Sequence, residues 1–478
     1  MASASHVWTV RSRLLINLAS VGSLSNGNLN GVAKRSRFRE LGFKDGGGET
    51  PPQPAGEDAC ATGGGRFPLC KSPIWFHVAG VELKHGGHLA YCTNIHRGET
   101  WAETLAALQT HTLAVRERVA PRQPFAIGLR LSAAAARELS DPPVRVAFQR
   151  WLAAHDCYVF TINGFPYGQF HGTRVKSAVY TPDWSTPERL DYTHLLFKLL
   201  ADLVPPGVAG SVSTLPGSFK AFIQRPEQVT AICNNIWRCV DHLDHLCRTT
   251  GRTLHLGLEP EPLCLLENTR ETIAFFAALR QDRPQDDRLD QFLGVNYDTC
   301  HLAVEFEEPR TALGQLQAAG IKLSKIHLSS ALKTIPTPAA RAALANFADG
   351  VYLHQVVARD AAGDLAYYED LPDALATPCP SADAGITTDE WRIHFHVPLH
   401  APAVAPFAST IDHLLGTLDV LAENPGLCQH LEMETYTWEV LPPECKSRSV
   451  VDQLAAEYAW TLGRLAERGM ADGNAGVS

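Results

Sequence analysis

From Gly87 to Thr437 the chain alternates short runs that begin apolar and end polar with longer stretches whose apolar residues recur at helical spacing. The runs are "GHLAYCTNI", "FAIGLRLS", "CYVFTING", "GSVSTLPG", "TLHLGLEPE", "LGVNYDTCH", "KLSKIHLSS" and "HLEMETYT". Runs that are nearly all apolar fit strands covered on both faces, as in a parallel sheet. The stretches between them carry helix punctuation: a capping box of Thr100 and Glu103, Pro187 directly after Thr186, and Gly251 closing a stripe of Val229, Ile232, Ile236, Val240 and Leu243. Strand and helix repeated at this spacing predict an α/β fold, a (β/α)8 TIM barrel, with an open doubly wound sheet as the alternative. No internal sequence repeat is visible.

A barrel of this kind places its chemistry at the C-terminal mouths of the strands. The fifth run ends in Glu259 and Glu261, the sixth in Asp298 and His301, the seventh in His327, and the eighth in Glu432 and Glu434. Any one of these alone reads as a solvated carboxylate or a hydrogen-bonded histidine. Together, four successive strands aim oxygen and nitrogen donors at one place, where unneutralised carboxylates would repel one another. A divalent ion such as Zn, Mn, Co or Mg resolves that repulsion. Residues two apart share a strand face, so Glu259 and Glu261 can both point inward, as can Glu432 and Glu434, and one of each pair is expected to hold the ion. Asp298 and His301, three apart, cannot share a face, so His301 is expected beyond the strand end, over the ion or the substrate.

Composition sets limits. Of 478 residues, 45% are hydrophobic and 19% charged, enough for one large core with insertions. The net charge of −9 offers no field for phosphate backbones, so no nucleic-acid partner is expected. The 12 cysteines include no C-x-x-C pair, which fits free thiols in a reducing compartment. No apolar run approaches the roughly 20 residues of a membrane span. Residues 1–80 differ from the rest: Met1 to Arg39 contains no acid, and Gly47 to Gly65 is rich in Gly and Pro. This segment reads as a disordered extension or a transit-like peptide with its linker, giving a cytoplasmic or an organellar location respectively. The barrel is expected over 81–470, with an excursion over 334–430 before the last strand and a disordered tail over 471–478.

"GLEPEP", "NYDTCH", "KIHLS" and "LEMETYTW" resemble the metal-ligand strands of the xylose isomerase-like barrel superfamily, which includes sugar epimerases and endonuclease IV. The resemblance implies that Glu259, Asp298, His327 and Glu434 hold one divalent ion, and that the His of "DTCH" can serve a second. The early strands end without the histidines of endonuclease IV, so DNA repair is not expected. "YCTNIHRGETW", "FTINGFPYGQFHG", "VKSAVYTPDW", "SVSTLPGSFK", "YLHQVV", "WRIHFHVPLH" and "LEMETYTWEVLP" look like the EboE-type metabolite traffic family. That resemblance covers nearly everything from Val81 to the last helix. It implies a small-molecule metabolite as partner, along with other proteins of the Ebo cluster.

The remaining polar segments are expected to shape a pocket. Asn163, Tyr167 and His171 follow the third run and suit hydroxyls and a ring, and Lys220, near Ser213 and Thr214, suits an acidic substrate group. Glu261 and Glu432 are expected to face the substrate. A hairpin in "VYLHQVVARDAAGDLAYYEDL", carrying His354, precedes "WRIHFHVPLH", where His394 and His396 share a face and His400 follows. His394 and His396 are expected to reach the substrate or the metal cluster. The leading expectation is a metal-dependent isomerase or epimerase for a small carbonyl or polyol metabolite. In it Glu259 and Glu434 are opposed proton-transfer groups and His301 a further catalytic residue. The alternatives are a di- or trinuclear hydrolase, and a non-catalytic metabolite carrier.

Overall fold

The computed structural model describes residues 83–378, 390–443 and 446–472. The extension and its transit reading, and residues 473–478 of the expected tail, lie outside the described residues. All eight runs contain strands: β1 (His88–Tyr91), β2 (Phe125–Arg130), β3 (Cys157–Asn163), β4 (Gly210–Thr214), β5 (Leu254–Leu258), β6 (Leu293–Asp298), β7 (Lys322–Leu328) and, after an insertion, β13 (His430–Met433). They pair in parallel in the order β1-β13-β7-β6-β5-β4-β3-β2. The two ends of this row meet through a parallel bridge between Cys92, just past β1, and Gly128 of β2. The result is a nearly closed eight-stranded barrel. The doubly wound alternative fails because the strand order nowhere reverses.

The local signals form as the residues dictate. Thr100 and Glu103 make the capping box of the helix Trp101–Ala107. Pro187 opens the helix Pro187–Leu203 behind Thr186. Gly251, at φ 67° and ψ 17°, ends the helix Pro226–Thr250 in the left-handed conformation that a side chain would resist. The stripe from Val229 to Leu243 on that helix is buried. The strands β2, β3 and β6 are buried along their whole length, because helices cover the outside and side chains fill the inside.

The excursion forms a second, antiparallel sheet of β8 (Ala331–Thr334), β9 (Val356–Arg359), β10 (Leu365–Tyr368), β11 (Glu390–His396) and β12 (Ala408–Ser409), ordered β10-β9-β11-β8-β12. It begins earlier than the pattern suggested, since β8 leaves β7 after only Ser329 and Ser330. The hairpin falls where expected, with Leu365 opposite Arg359. Alternation along β11 does the positioning: Trp391, Ile393 and Phe395 pack with Leu332, Val356 and Leu371 in a separate apolar cluster, leaving His394 and His396 on the opposite face.

Candidate functional site

Glu259 stands one residue past β5, Asp298 ends β6, His327 lies near the end of β7 and Glu434 stands one residue past β13. One ligand atom from each lies within 4.8 Å of the other three, and all four side chains are buried. His327 Nδ1 is 2.9 Å from Glu259 Oε1, 3.1 Å from Glu434 Oε2 and 3.4 Å from Asp298 Oδ2.

Two of the three carboxylates, Glu434 and Asp298, are aimed by the oxygen that each keeps out of this cluster. Glu434 Oε1 accepts from the amides of Asn94 (2.7 Å) and Asn163 (3.1 Å), which leaves Oε2 to the centre. Asp298 Oδ1 caps the helix Thr299–Val304, accepting from the backbone N–H of Cys300 (2.7 Å) and His301 (3.1 Å) and from Ser329 Oγ (2.6 Å). Asp298 Oδ2 and Glu259 Oε2 are buried without a hydrogen-bond partner. Three carboxylates, one imidazole and two orphaned oxygens at one point fit a divalent cation. Burial opposes protonation of His327, yet the Glu434 and Glu259 carboxylates push it well above its ordinary value.

A second group adjoins the first. The helix capped by Asp298 lifts His301 beside His394 and His396 of β11. His301 Nδ1 donates to the Pro260 carbonyl (3.1 Å), His394 Nδ1 to Gln355 Oε1 (2.8 Å) and His396 Nδ1 to the Glu434 carbonyl (2.8 Å). In the neutral rings every Nε2 is therefore a bare lone pair. His301 Nε2 nevertheless lies 3.1 Å from His394 Nε2, which lies 3.2 Å from His396 Nε2. Burial lowers His301 to about 4 and holds His394 well below its ordinary value, so neither of these two rings carries a second proton to relieve their contact near neutrality. A cation would relieve it: imidazole nitrogens bound tetrahedrally to one zinc at about 2.0–2.1 Å lie about 3.3 Å apart. Glu261 with His301 and His394, or Asp298 with His301 and His396, completes such a set.

The two groups open into one cleft, lined by Glu259, Glu261, Glu434, His301, His394 and Asn163 and walled by Phe165, Phe170, Tyr180, Tyr352 and Tyr436. Glu261 Oε1 accepts from Tyr180 Oη (2.5 Å), Oε2 is unpartnered, and burial raises its carboxyl well above the ordinary range.

Several expected substrate contacts stand elsewhere. Tyr167 packs edge-on against Tyr192 at 5.1 Å, with the Arg189 guanidinium 5.7 Å from its ring, because the loop after β3 turns it outward to a separate surface cleft. His171 is buried one layer behind, 2.6 Å from the Asn94 carbonyl and 2.5 Å from Tyr352 Oη, so it supports two lining residues rather than facing the cleft. Lys220 is occupied by Glu267 (2.5 Å) and Glu271 (2.9 Å) and has no charge to offer a substrate. Glu432 points into the barrel beneath His327, where it pairs with Lys325. Ser213 meets Lys325 Nζ (3.0 Å), Thr214 accepts from Trp184 Nε1 (3.1 Å), and His354 is bound to Asp349 Oδ2 (2.5 Å). His400 borders a different cleft, beside Leu332 and Phe407.

Asn94, Tyr180, Tyr352 and Gln355 were not singled out from the sequence. Gln355 directly precedes β9, beside His354, and Asn94 and Tyr180 sit in 3-10 turns, Thr93–Ile95 and Lys176–Tyr180, too short to show a periodicity that would orient them.

Neither a family model nor a curated protein matches the sequence. Among solved structures, the fold is similar to an L-ribulose 3-epimerase (12% identity, 80% of this chain and 96% of that one, TM-score 0.42). It is similar to the IOLI protein with a bound zinc atom (12%, 80% and 98%, TM-score 0.41). A probable 3-DHS dehydratase, AsbF from Bacillus anthracis, also aligns (13%, 78% and 98%, TM-score 0.38). Likenesses this distant say nothing about the chemistry of this chain.

Proposed function

We propose that this chain is a divalent-metal-dependent isomerase- or epimerase-like enzyme acting on a small carbonyl or polyol metabolite. The observation that carries this reading is the convergence of Glu259, Asp298, His327 and Glu434 within 4.8 Å at four strand mouths, under a cleft lined by further acids and amides. These four side chains would hold a divalent ion, which would supply Lewis-acid polarisation of a bound carbonyl and so acidify the C–H beside it. Glu259 and Glu434, on strands separated by β6 and β7, serve as the groups that remove and return the proton. Asn94 and Asn163 keep Glu434 aimed, and Tyr180 and Glu261 hold substrate hydroxyls. The long segments quoted above support an EboE-type role in metabolite traffic, with other Ebo-cluster proteins as partners. The free cysteines among the described residues fit a reducing compartment, the cytoplasm, or an organelle if residues 1–75 act as a transit peptide. Among the described residues no helix is long and apolar enough to cross a membrane.

The test is solvent deuterium incorporation into free keto-sugars incubated with the metal-loaded protein. Carbon-bound deuterium beside the carbonyl is expected with the wild type, and its loss in Glu259→Gln and Glu434→Gln. Conversion with no carbon-bound deuterium, even in partly converted substrate, would defeat proton transfer.

The facing Nε2 atoms favour one second reading, a dinuclear hydrolase in which His301 and His394 with Glu261, or His301 and His396 with Asp298, hold another ion. Two ions per purified chain and hydrolysis of an ester substrate would move this reading ahead.

A further inference from the structure

Beneath the four-residue cluster the barrel interior holds two opposite charges that no reactant can reach. Lys325 lies two residues before His327 on β7 and so shares its face, and Glu432 of β13 is the register partner of His327. The Lys325 and Glu432 side chains both have zero exposure and form a close ion pair. Lys325 Nζ also donates to Ser213 Oγ of β4 at 3.0 Å. Glu432 Oε2 is 2.8 Å from His327 Nε2. Gly128 of β2 makes the room, since a Cβ there would lie 1.9 Å from Glu432 Oε1.

A buried ion pair is seldom worth its desolvation in stability alone, because well-packed apolar residues do as well or better. What this pair does is directional. A carboxylate beside Nε2 accepts a hydrogen bond there, which fixes the tautomer with the proton on Nε2 and turns the Nδ1 lone pair toward Glu259, Asp298 and Glu434. Lys325 holds Glu432 in place from below, since its Nζ bonds both the Glu432 carboxylate and Ser213 Oγ. Without the lysine, Glu432 loses the partner that fixes its carboxylate under His327 Nε2.

We infer that Lys325 and Glu432 are positioning residues that preset His327 to present Nδ1 to a divalent ion. This rests on the metal-site reading above. The chain Ser213, Lys325, Glu432, His327 crosses the barrel from β4 to the cluster, so the ligand is aimed by the closed barrel rather than by its own strand.

The experiment is titration of the full chain with Zn2+ or Co2+ alone, against a competing chelator. The binding event followed is the one abolished by His327→Ala. Glu432→Gln and Lys325→Met are each expected to weaken that event by at least about tenfold, the usual effect of removing an outer-shell partner. The double variant Lys325→Met/Glu432→Met removes both charges, so it should melt close to the wild type while binding at least about tenfold more weakly and with a shifted Co2+ absorption band. A folded double variant with wild-type affinity and an unchanged Co2+ spectrum overturns the positioning role and leaves the metal site standing. A wild type that binds no divalent ion overturns the metal site, and this inference with it.

Discussion

Asp298 divides its two oxygens between fold and site, and the division can be separated by substitution. Oδ1 caps the helix that carries His301, while Oδ2 faces His327 without a partner. Asp298→Asn keeps an oxygen for the cap but loses the anionic ligand. It should melt near the wild type and hold metal at least about tenfold more weakly, as read by calorimetric titration. Asp298→Ala should lose the same affinity and in addition about 1 kcal/mol of stability with the cap. Equal metal affinity in all three proteins would remove Asp298 from the site. Its neighbour His301 should behave differently. His301→Ala should retain the ion at the carboxylate cluster, because Glu259, Asp298, His327 and Glu434 remain, and should lose turnover. Metal analysis paired with the deuterium assay checks both.

Among the elements, β2 contributes no ligand and still decides the site. Its Gly128 faces the barrel interior, where a Cβ would lie 1.9 Å from Glu432 Oε1 and 2.6 Å from the Tyr91 carbonyl. The first neighbour can swing away only by leaving His327, and the second is backbone. Gly128→Ala should therefore destabilise by about 1–3 kcal/mol, the ordinary range for overpacking, and should weaken metal binding as Glu432 moves. Chemical denaturation and metal titration on the same sample measure both, and a variant with wild-type stability would mean that the barrel is looser here than its packing implies. The strand β11 works the other way. Its apolar face builds the second sheet's core, and its polar face delivers two histidines over the mouth of a barrel to which it does not belong.

At the scale of the molecule, the last helix, Val450–Glu467, locks the insertion to the barrel through Glu457. This fully buried side chain accepts from the backbone N–H of Leu399, after β11, at 3.1 Å, and from Thr435 Oγ1, after β13, at 2.9 Å. Burial raises its carboxyl from 4.5 to about 7. The folded state thus favours the protonated acid. That stabilisation is complete below about pH 4.5 and is lost as pH rises to about 7, a change of about 3 kcal/mol over the window. Glu457→Gln, which cannot ionise, should gain stability relative to the wild type between pH 5 and pH 8 by about that amount. Denaturant unfolding at the two pH values checks it, and parallel pH profiles would contradict it. Deleting residues 1–75 should leave folding and metal binding intact, since that segment has no periodic apolar pattern to add to a core. An insoluble or metal-free truncated protein would refute this.

The sequence by itself determined the barrel, because strands covered on both faces must be continuously apolar and must turn polar where they emerge, a pattern that eight runs display. It also determined which ends carry Glu259, Asp298, His327 and Glu434, since mouth positions follow from strand direction alone. Tertiary structure decided the rest. Strand parity allowed both Glu432 and Glu434 to face inward, and only the depth of each residue in the barrel assigns Glu434 to the cluster and Glu432 to Lys325. Asn163, at the end of β3, reaches Glu434, while Tyr167 lies in the loop beyond it, and loop residues have no period, so nothing local showed that Tyr167 turns outward. The histidine pair of β11 was visible as a pair. That His394 Nε2 meets His301 Nε2, 93 positions earlier in the chain, depends on how one sheet rests on another, and no spacing along the chain encodes that distance.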